Sequence, residues 1–290
     1  MDSDSLTTTE VARLCRVSDA TVKRWATAGL IKSERTNGGH RRFRAEEIAR
    51  FQNEQGLGTK QSVGDESVAK VGLRRGRGRK LSDCEFFHAL LAGSENQAST
   101  ILIRRLLEGE TLTELLDGVV TESMHHIGEL WQLGKVSVAE EHLASRTAIC
   151  ALHNLRASLP VPKPQNKLAI CFTLEGDLHE LATHCAQVTL ESEGWEVWNF
   201  GANTPLFSIS EEFDKHSPDL VCISSTLMNQ IDRSSRDYVS FREKLENHRA
   251  KIAIGGQAFE EDDLSDRFPA DYYLKTFSDV IKVATEIQTK

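Results

Sequence analysis

Leu168-Ala-Ile-Cys-Phe-Thr173 is a short run of apolar residues that ends in a threonine. It leads into the polar loop Glu175-Gly-Asp177-Leu-His179-Glu-Leu-Ala182. Such a run, without alternating polar residues, is typical of a strand that is buried on both faces. Strand-like runs recur over residues 195–200, 220–224, 251–254 and 272–274, and helical spacing fills the sequence between them. Five such alternations predict a doubly wound parallel sheet over residues 161–290.

The loop that contains His179 lies where parallel sheets bind ligands, at the carboxyl end of a strand. A five-stranded sheet of this flavodoxin-like kind also brings the loops after residues 173, 200, 224 and 254 to one edge. Asp177 could hold the second ring nitrogen of His179 and fix its tautomer, as in metal-ligating histidines. By itself, Asp-x-His is a weak signal, and it more often marks a surface histidine beside an acid.

Residues 81–160 have a purely helical pattern. Apolar residues recur at helical spacing, as in Phe86, Leu90 and Leu106, with a break at Gly109. Four amphipathic helices fit this segment and predict a small four-helix bundle. Residues 55–80 are rich in Gly, Ser and Arg, which predicts a flexible linker. Its basic run, 74–80, is either a solvated tether or a source of non-specific phosphate contacts.

Residues 1–54 predict a helix-turn-helix. Thr7 and Glu10 form a capping box at the start of the first helix, because the threonine hydroxyl accepts from an amide three residues on while the glutamate reaches back. Ser18 then begins a second helix, in which Val22 and Trp25 face inward. The side chains that face outward on this helix are Thr21, Lys23 and Arg24.

Residues 35–44 (RTNGGHRRFR) predict a basic hairpin, in which Asn37-Gly38-Gly39 supplies the tight turn. The head resembles the winged-helix domain of MerR-type regulators in its Thr-Thr-x-Glu-Val-Ala, Thr-Val-Lys-Arg-Trp and Gly-Gly-His-Arg-Arg-Phe motifs. The resemblance implies that the second helix enters the major groove of double-stranded DNA. The implied DNA-binding residues are Thr21, Lys23, Arg24, Arg35, His40, Arg41 and Arg42, the last two holding the backbone. A winged helix used for protein contacts, or a solvated hairpin, would show the same pattern.

The charge distribution agrees with a nucleic-acid-binding head on an acidic body. The net charge is −8, but residues 1–80 hold 17 Lys and Arg against 10 Asp and Glu, or +7, whereas residues 81–290 hold 18 against 33, or −15. The six cysteines lie far apart, several in apolar runs, and we expect reduced core thiols. No signal peptide or membrane-spanning run is visible, which predicts a cytoplasmic protein.

Three elements of the sheet region, Asp177-x-His179, Ser225-x-Leu227 and Gly255-Gly256, resemble the fingerprint of cobalamin-binding domains that hold the cofactor with its own base displaced. The resemblance implies that His179 is the lower axial cobalt ligand. It also implies that the serine lines the slot for the nucleotide tail and that the paired glycines leave room for it. Ala182 stands where the family usually has glycine, and the added methyl narrows the approach to the tail.

The bundle carries a second motif, Trp131 followed after nine residues by Glu141-His142. It resembles the cap of CarH/LitR-like cobalamin photoreceptors, in which the tryptophan and glutamate, with a residue matching Val138, cover the upper face of adenosylcobalamin. A helix-packing tryptophan and a capping Glu-His pair would look identical by periodicity. No long helix follows Phe51 to pair two heads, so dimerisation is expected from the bundle.

The three segments together resemble a light-dependent repressor. In that family, adenosylcobalamin holds a homo-oligomer (dimer or tetramer) on operator DNA in the dark, and light breaks the cobalt–carbon bond and releases the DNA. Gln132 replaces the histidine that can follow the tryptophan and capture cobalt, so a light-independent cobalamin sensor remains open, as does a pocket for a bilin or haem. A corrinoid methyl-transfer module has no use for a DNA-binding head. An enzyme is disfavoured because no nucleophile–base pair is visible.

Overall fold

A computed structural model describes residues 5–56, 84–226, 231–245, 249–259 and 264–289. The chain divides into two compact units, Met1–Pro160 and Val161–Lys290. Apart from its first two residues, the linker predicted over 55–80 lies outside the described residues, as does Leu227.

The N-terminal head is a small winged helix-turn-helix. Its elements are β1 (Leu6–Thr7), α1 (Thr8–Leu14), α2 (Asp19–Thr27), β2 (Glu34–Arg35), β3 (Arg41–Phe43) and α3 (Ala45–Gln55). The three strands pair antiparallel in the order β1-β3-β2. The predicted capping box is confirmed at the start of α1, and the Ser18 hydroxyl accepts from the Thr21 amide at the start of α2.

The core of the head lies between its helices and the hairpin. Val11, Val22 and Phe43 are buried there together with Ile48 of α3. Trp25 is half-buried rather than fully buried, and its ring lies 4.8 Å from that of Phe51 on α3. The helix α3 therefore closes the core of the head.

A four-helix bundle follows, as predicted. Its helices are α4 (Glu85–Leu91), α5 (Glu95–Leu107), a third helix made of α6 (Leu112–Leu115), a π-helical segment (Leu116–Thr121) and α7 (Glu122–Gln132), and finally α8 (Val138–Ser158). The hydroxyl of Ser137 caps α8 by accepting from the Glu140 amide. Besides the contacts among these helices, α3 of the head packs against α5 and α8.

The second unit is a doubly wound parallel sheet. Its strands are β4 (Leu168–Leu174), β5 (Glu196–Thr204), β6 (Leu220–Ser224), β7 (Lys251–Gly255) and β8 (Tyr272–Leu274). All pair in parallel, in the order β5-β4-β6-β7-β8. The helices between and after them are α9 (Leu181–Ser192), α10 (Leu206–His216), α11 (Ile231–Leu245), α12 (Leu264–Arg267) and α13 (Phe277–Gln288).

Helices cover both faces of this sheet, which is why its central strands β4, β6 and β7 are largely apolar. Ile170 and Phe172 of β4 face α10 and α11, whereas Ala169 and Cys171 face α9 and α13. The strand order reverses direction between β4 and β6, and ligands bind at such a switch point in open α/β sheets. The predicted five-stranded, flavodoxin-like fold is confirmed, and it places the loops after β4 and β6 side by side.

One strand is longer than predicted. The sequence predicts an end at residue 200, but β5 continues to Thr204. Its pairing with β4 shifts register after Cys171 and again after Phe172, so extra residues are accommodated by bulges. No helix within the described ranges is long and apolar enough to cross a membrane.

Candidate functional site

The loop after β4 is held by hydrogen bonds from neighbouring strands. The Thr173 hydroxyl donates to the carbonyl oxygen of Asp177 over 2.6 Å, and the Asn203 amide donates to the same oxygen over 2.9 Å. The Asn203 side chain in turn accepts from the Gly176 amide over 2.7 Å. These bonds fix the backbone of the loop, so the direction of its side chains is set before any ligand arrives.

Asp177 is the centre of the site. Its side chain is fully buried, and Oδ1 accepts from the amide and from Nδ1 of His179 over 2.9 and 2.8 Å. The other oxygen, Oδ2, accepts from the Ser225 hydroxyl over 3.2 Å and from the Thr226 amide. Burial raises the pKa of this carboxyl group, but the bonds from His179 and Thr226 outweigh it and lower the pKa below its usual value. The group is therefore an anion at neutral pH.

His179 presents its imidazole at the surface of the unit while its inner edge is fixed. The side chain is 48% exposed, and the buried carboxylate beside Nδ1 favours a proton on that nitrogen. In this tautomer Nε2 is the ring nitrogen that could hold a metal ion, and an anionic partner at Nδ1 makes such a nitrogen more basic. Leu178, the residue before it, is 72% exposed and adds apolar surface beside the ring.

The ends of β6 and β7 form the wall next to this pair. A Cβ at Gly256 would lie 2.4 Å from the Ser225 carbonyl oxygen, and φ at Gly256 is +103°, so only glycine fits. The hydroxyl of Ser224 is buried without a hydrogen-bond partner in the described structure, 3.1 Å from that hypothetical Cβ. A buried hydroxyl of this kind is normally satisfied by an ordered water molecule or by a polar group of a bound ligand.

The donor set fits a corrinoid. A macrocycle supplies the equatorial ligands of its own cobalt, so the protein needs to add one axial nitrogen, which His179 offers. The unpaired Ser224 hydroxyl and the glycine edge fit a polar extension of such a ligand. Ala182 is half-buried in the first turn of α9.

Sequence reasoning placed Asp177, His179, Ser225, Gly255 and Gly256 at one edge, and the structure brings them together there. The Ser225 hydroxyl also donates to the Asp177 carboxylate, a contact that the sequence did not predict, and its place in the slot for the nucleotide tail stays a prediction. Three contributors were missed: the Ser224 hydroxyl, the Asn203 side chain and the Thr226 amide. The only available signal for the first was its place at the end of a strand beside a predicted site residue.

The predicted cap residues lie together at the α7–α8 turn of the first unit. Trp131 is the last residue but one of α7, Val138 begins α8, and the five residues 133–137 between the two helices form the turn. Both side chains are about half exposed, at 46% and 53%, as is Leu133 in the turn at 67%. Exposed apolar side chains gathered at one end of a bundle mark a binding surface.

The polar members of the motif differ in exposure. Glu141 is partly buried, and its carboxylate accepts from the Ser145 hydroxyl over 2.7 Å. His142 is exposed, with Nε2 3.7 Å from the Glu141 carboxylate. Gln132 is exposed beside Trp131. His126, further up α7, lies beside Glu129, with Nδ1 3.3 Å from the carboxylate.

A basic cleft of about 660 Å³ lies on the head. It is open to solvent, and four of its lining residues, Lys23, Arg35, Arg41 and Arg42, are cationic. Lys23, Arg24, Arg35 and His40 are exposed and Thr21 is half-exposed, so α2 and the hairpin present a polar, basic surface. That surface matches the needs of phosphate and base-edge contacts.

Two arginines of the hairpin, Arg41 and Arg42, were expected to extend toward the DNA backbone, but their side chains are half-buried. Arg41 is half-buried, and its guanidinium donates to the hydroxyls of Thr27 and Ser33 over 3.0 and 3.2 Å. Arg42 is half-buried as well, with its Nε enclosed and without a partner. Arg41 thus ties the hairpin to α2, which sets the spacing between the two parts of the basic surface.

Comparison with protein families agrees with this division of the chain. A helix-turn-helix domain matches residues 5–56, one B12 binding domain matches residues 85–155, and a second B12 binding domain matches residues 167–276. These matches support a DNA-binding, cobalamin-binding protein.

Similar proteins include corrinoid proteins of Methanosarcina species. The chain is 25% identical over 181 residues to dimethylamine corrinoid protein 2 of Methanosarcina acetivorans, covering 60% of this chain and 81% of that protein. It is 22% identical over 191 residues to trimethylamine corrinoid protein 1 of Methanosarcina mazei, covering 63% and 86%. The solved monomethylamine corrinoid protein of Methanosarcina barkeri has the same fold, with a TM-score of 0.59 at 17% identity, over 70% of this chain and 96% of that one.

Proposed function

We propose that this chain is a cytoplasmic, cobalamin-dependent transcription regulator that represses by binding operator DNA and releases it in the light. The observation that carries the proposal is the pairing of His179 with the buried, anionic Asp177 at a switch point, in one chain with a basic helix-turn-helix head. Adenosylcobalamin would supply a cobalt–carbon bond that light breaks.

Each residue of the site at the carboxyl edge of the sheet has a distinct role in this proposal. His179 would hold the cobalt of the corrinoid through Nε2, and Asp177 would hold the histidine ring and keep Nε2 basic. Ser225 and the Thr226 amide satisfy the second oxygen of Asp177, so the carboxylate cannot turn away. Gly255 and Gly256 keep the wall free of side chains. None of these roles is enzymatic, and we propose that the chain is not an enzyme.

The cap residues take the upper side in the proposal. Trp131, Val138 and Glu141, with His142, would cover the upper side of the cofactor, and the bundle and cobalamin-binding region would hold the oligomer, a dimer or tetramer. Loss of the upper ligand changes what the exposed apolar surface at the α7–α8 turn is packed against. A change of that kind biases an equilibrium between two assemblies.

A light-independent cobalamin sensor is the second candidate. The observation that favours it is Gln132, because an amide oxygen is a poor cobalt ligand where an imidazole would capture the metal. A corrinoid carrier, as the names of the similar Methanosarcina proteins suggest, is less well supported. Its function would leave the basic surface of the head without a task.

The test combines absorbance with sizing. The purified full chain is mixed with adenosylcobalamin in darkness, and gel filtration with and without duplex DNA of random sequence is run before and after illumination. We expect a bound-corrinoid spectrum, a DNA-bound oligomer in the dark and a smaller, DNA-free species in the light. Binding without a light-induced change would leave the light-independent sensor. Absence of corrinoid binding, with a bilin bound instead, would overturn the assignment of the cofactor.

A further inference from the structure

The head is not merely tethered to the bundle but docked on it. Residues 98–103 of α5 are all buried, whereas a helix in an isolated four-helix bundle would leave one side in solvent. The additional cover comes from α3, which packs against α5 and α8. At the other end of this contact, the Asn53 side chain of α3 donates to the carbonyl oxygen of Ser158, at the end of α8, over 3.0 Å.

Charges on the two sides of the contact are complementary. Arg13, in the last turn of α1, donates to the Glu108 carboxylate at the end of α5 over 2.7 Å. Glu10, one turn earlier, feels the positive charge of Arg104 on α5. Burial raises the pKa of Glu10, but hydrogen bonds from Thr7 and the field of Arg104 lower it overall. Exposed pairs of this kind contribute little stability, but they select one orientation.

The docked face is distinct from the basic face. All residues that line the basic cleft belong to the head, from Thr7 to Arg42, and none belongs to the bundle. Lys23 and Arg24 on α2 stay exposed while α3 is covered. Docking therefore leaves the surface for nucleic acid accessible.

We propose that the head binds DNA while it stays docked on the α5/α8 face of the bundle, so that this contact is the coupling interface between bundle and DNA. The proposal rests on the proposed DNA-binding function. Because α2 packs on α3 through Trp25 and Phe51, and α3 packs on the bundle, a shift of α5 or α8 displaces the DNA-binding helix with it. A movement of the bundle can therefore alter DNA binding without any conformational change inside the head.

The test locks the docked state with a cross-link. Arg13→Cys and Glu108→Cys are introduced in the full chain, with the half-buried Cys84 and Cys150 replaced by Ser, and the pair is joined with a short bismaleimide. Affinity for duplex DNA of random sequence is measured before and after cross-linking, with each single-cysteine variant treated with the same reagent as a control. We expect efficient cross-linking within one chain and an affinity within twofold of the untreated protein.

The outcomes separate the two proposals. A tenfold or greater loss of affinity after cross-linking would show that the head must undock, which overturns the inference and leaves the DNA-binding function intact. Cross-links between two chains, or none, would show that this head does not dock on its own bundle, which overturns it as well. Absence of DNA binding before any cross-link would instead remove the DNA-binding function itself.

Discussion

Replacing Asp177 by Asn tests the centre of the site with almost no change in shape. The carboxylate accepts four hydrogen bonds, two on each oxygen. An amide keeps one oxygen, so its NH₂ group must face two donors whichever way it turns. If the oxygen stays with His179, the Ser225 hydroxyl can rotate to accept, but the Thr226 amide cannot.

The expected cost follows from this mismatch. A buried backbone donor without a partner costs about 1–3 kcal/mol, and the surviving bonds lose the assistance of the charge. We expect Asp177→Asn to lower the unfolding free energy of the sheet unit by about 3 kcal/mol, or roughly a hundredfold in the opening equilibrium. Native-state hydrogen exchange of the β4 and β6 amides measures this quantity directly.

Asp219→Asn is the matched control. Asp219 also joins a backbone amide and a side chain, accepting from the Leu168 amide over 3.0 Å and from the Lys167 ammonium over 2.8 Å, but it lies at the amino end of β6. Its amide variant can keep the Leu168 bond while the lysine turns to solvent, at a cost of about 1 kcal/mol or less. If the losses of unfolding free energy in the two variants differ by less than about 1 kcal/mol, Asp177 is not the residue whose hydrogen bonds hold the two loops together.

Three further predictions concern the ligand, the DNA and the wall of the site. His179→Ala should change the visible spectrum of bound cobalamin through loss of the axial nitrogen, and an unchanged spectrum would contradict the ligand assignment. Lys23→Ala should weaken binding to DNA of every sequence and reduce the salt slope by about 1, whereas Arg50→Ala, on α3 and already paired with Glu47 and Glu54, should leave titrations unaltered. Gly256→Ala should lower the unfolding free energy in thermal or urea melts by at least about 2 kcal/mol, because the added Cβ would lie 2.4 Å from a carbonyl oxygen. Gly29→Ala is the control: φ is positive there too, at +73°, but the space is open, and the loss should be about 1 kcal/mol. Equal losses would refute the steric argument.

The sheet was predictable because its central strands β4, β6 and β7 are apolar on both faces and its helices are not. The strand over 220–224 has the predicted bounds, since β6 is central and its neighbours leave no freedom in register. The end of β5 was not predictable in the same way. Its last residues are small or polar, and Asn203 adopts φ +55°, a conformation that is set by the bond to Gly176 in another loop.

The candidate site shows what a motif leaves open. Spacing placed Asp177, His179 and Ser225 at one edge, because parallel strands share their carboxyl ends. Spacing could not say which way a hydroxyl points, and the structure turns Ser225 toward Asp177 while Ser224 is the one without a partner. In the head, the same limit applies to Arg41, which binds the hydroxyls of its own domain.

The π-helical segment Leu116–Thr121 has a consequence for the end of the helix that carries Trp131. Among the buried residues of this helix, Leu115, Val119, Ser123 and Ile127 are spaced four apart, and Leu112, Leu116 and Val120 are buried beside them. In a regular α-helix each such step overshoots a full turn by about 40°, so three steps would carry the stripe about a third of the way round. The wider π turns take up this overshoot and keep the stripe on one side.

A π-helical segment contains one residue more than the same turns of an α-helix. This additional residue sets the rotation of the helix that follows it about the helix axis. Removing one residue there, for instance Gly118, would turn the following helix by about 100° and draw it back by about 1.5 Å. Trp131 would then point to a different side of the bundle while every loop kept its length. The direction in which Trp131 points is therefore set about fifteen residues earlier in the chain, around Leu116. That segment contains none of the candidate cofactor-binding or DNA-binding residues.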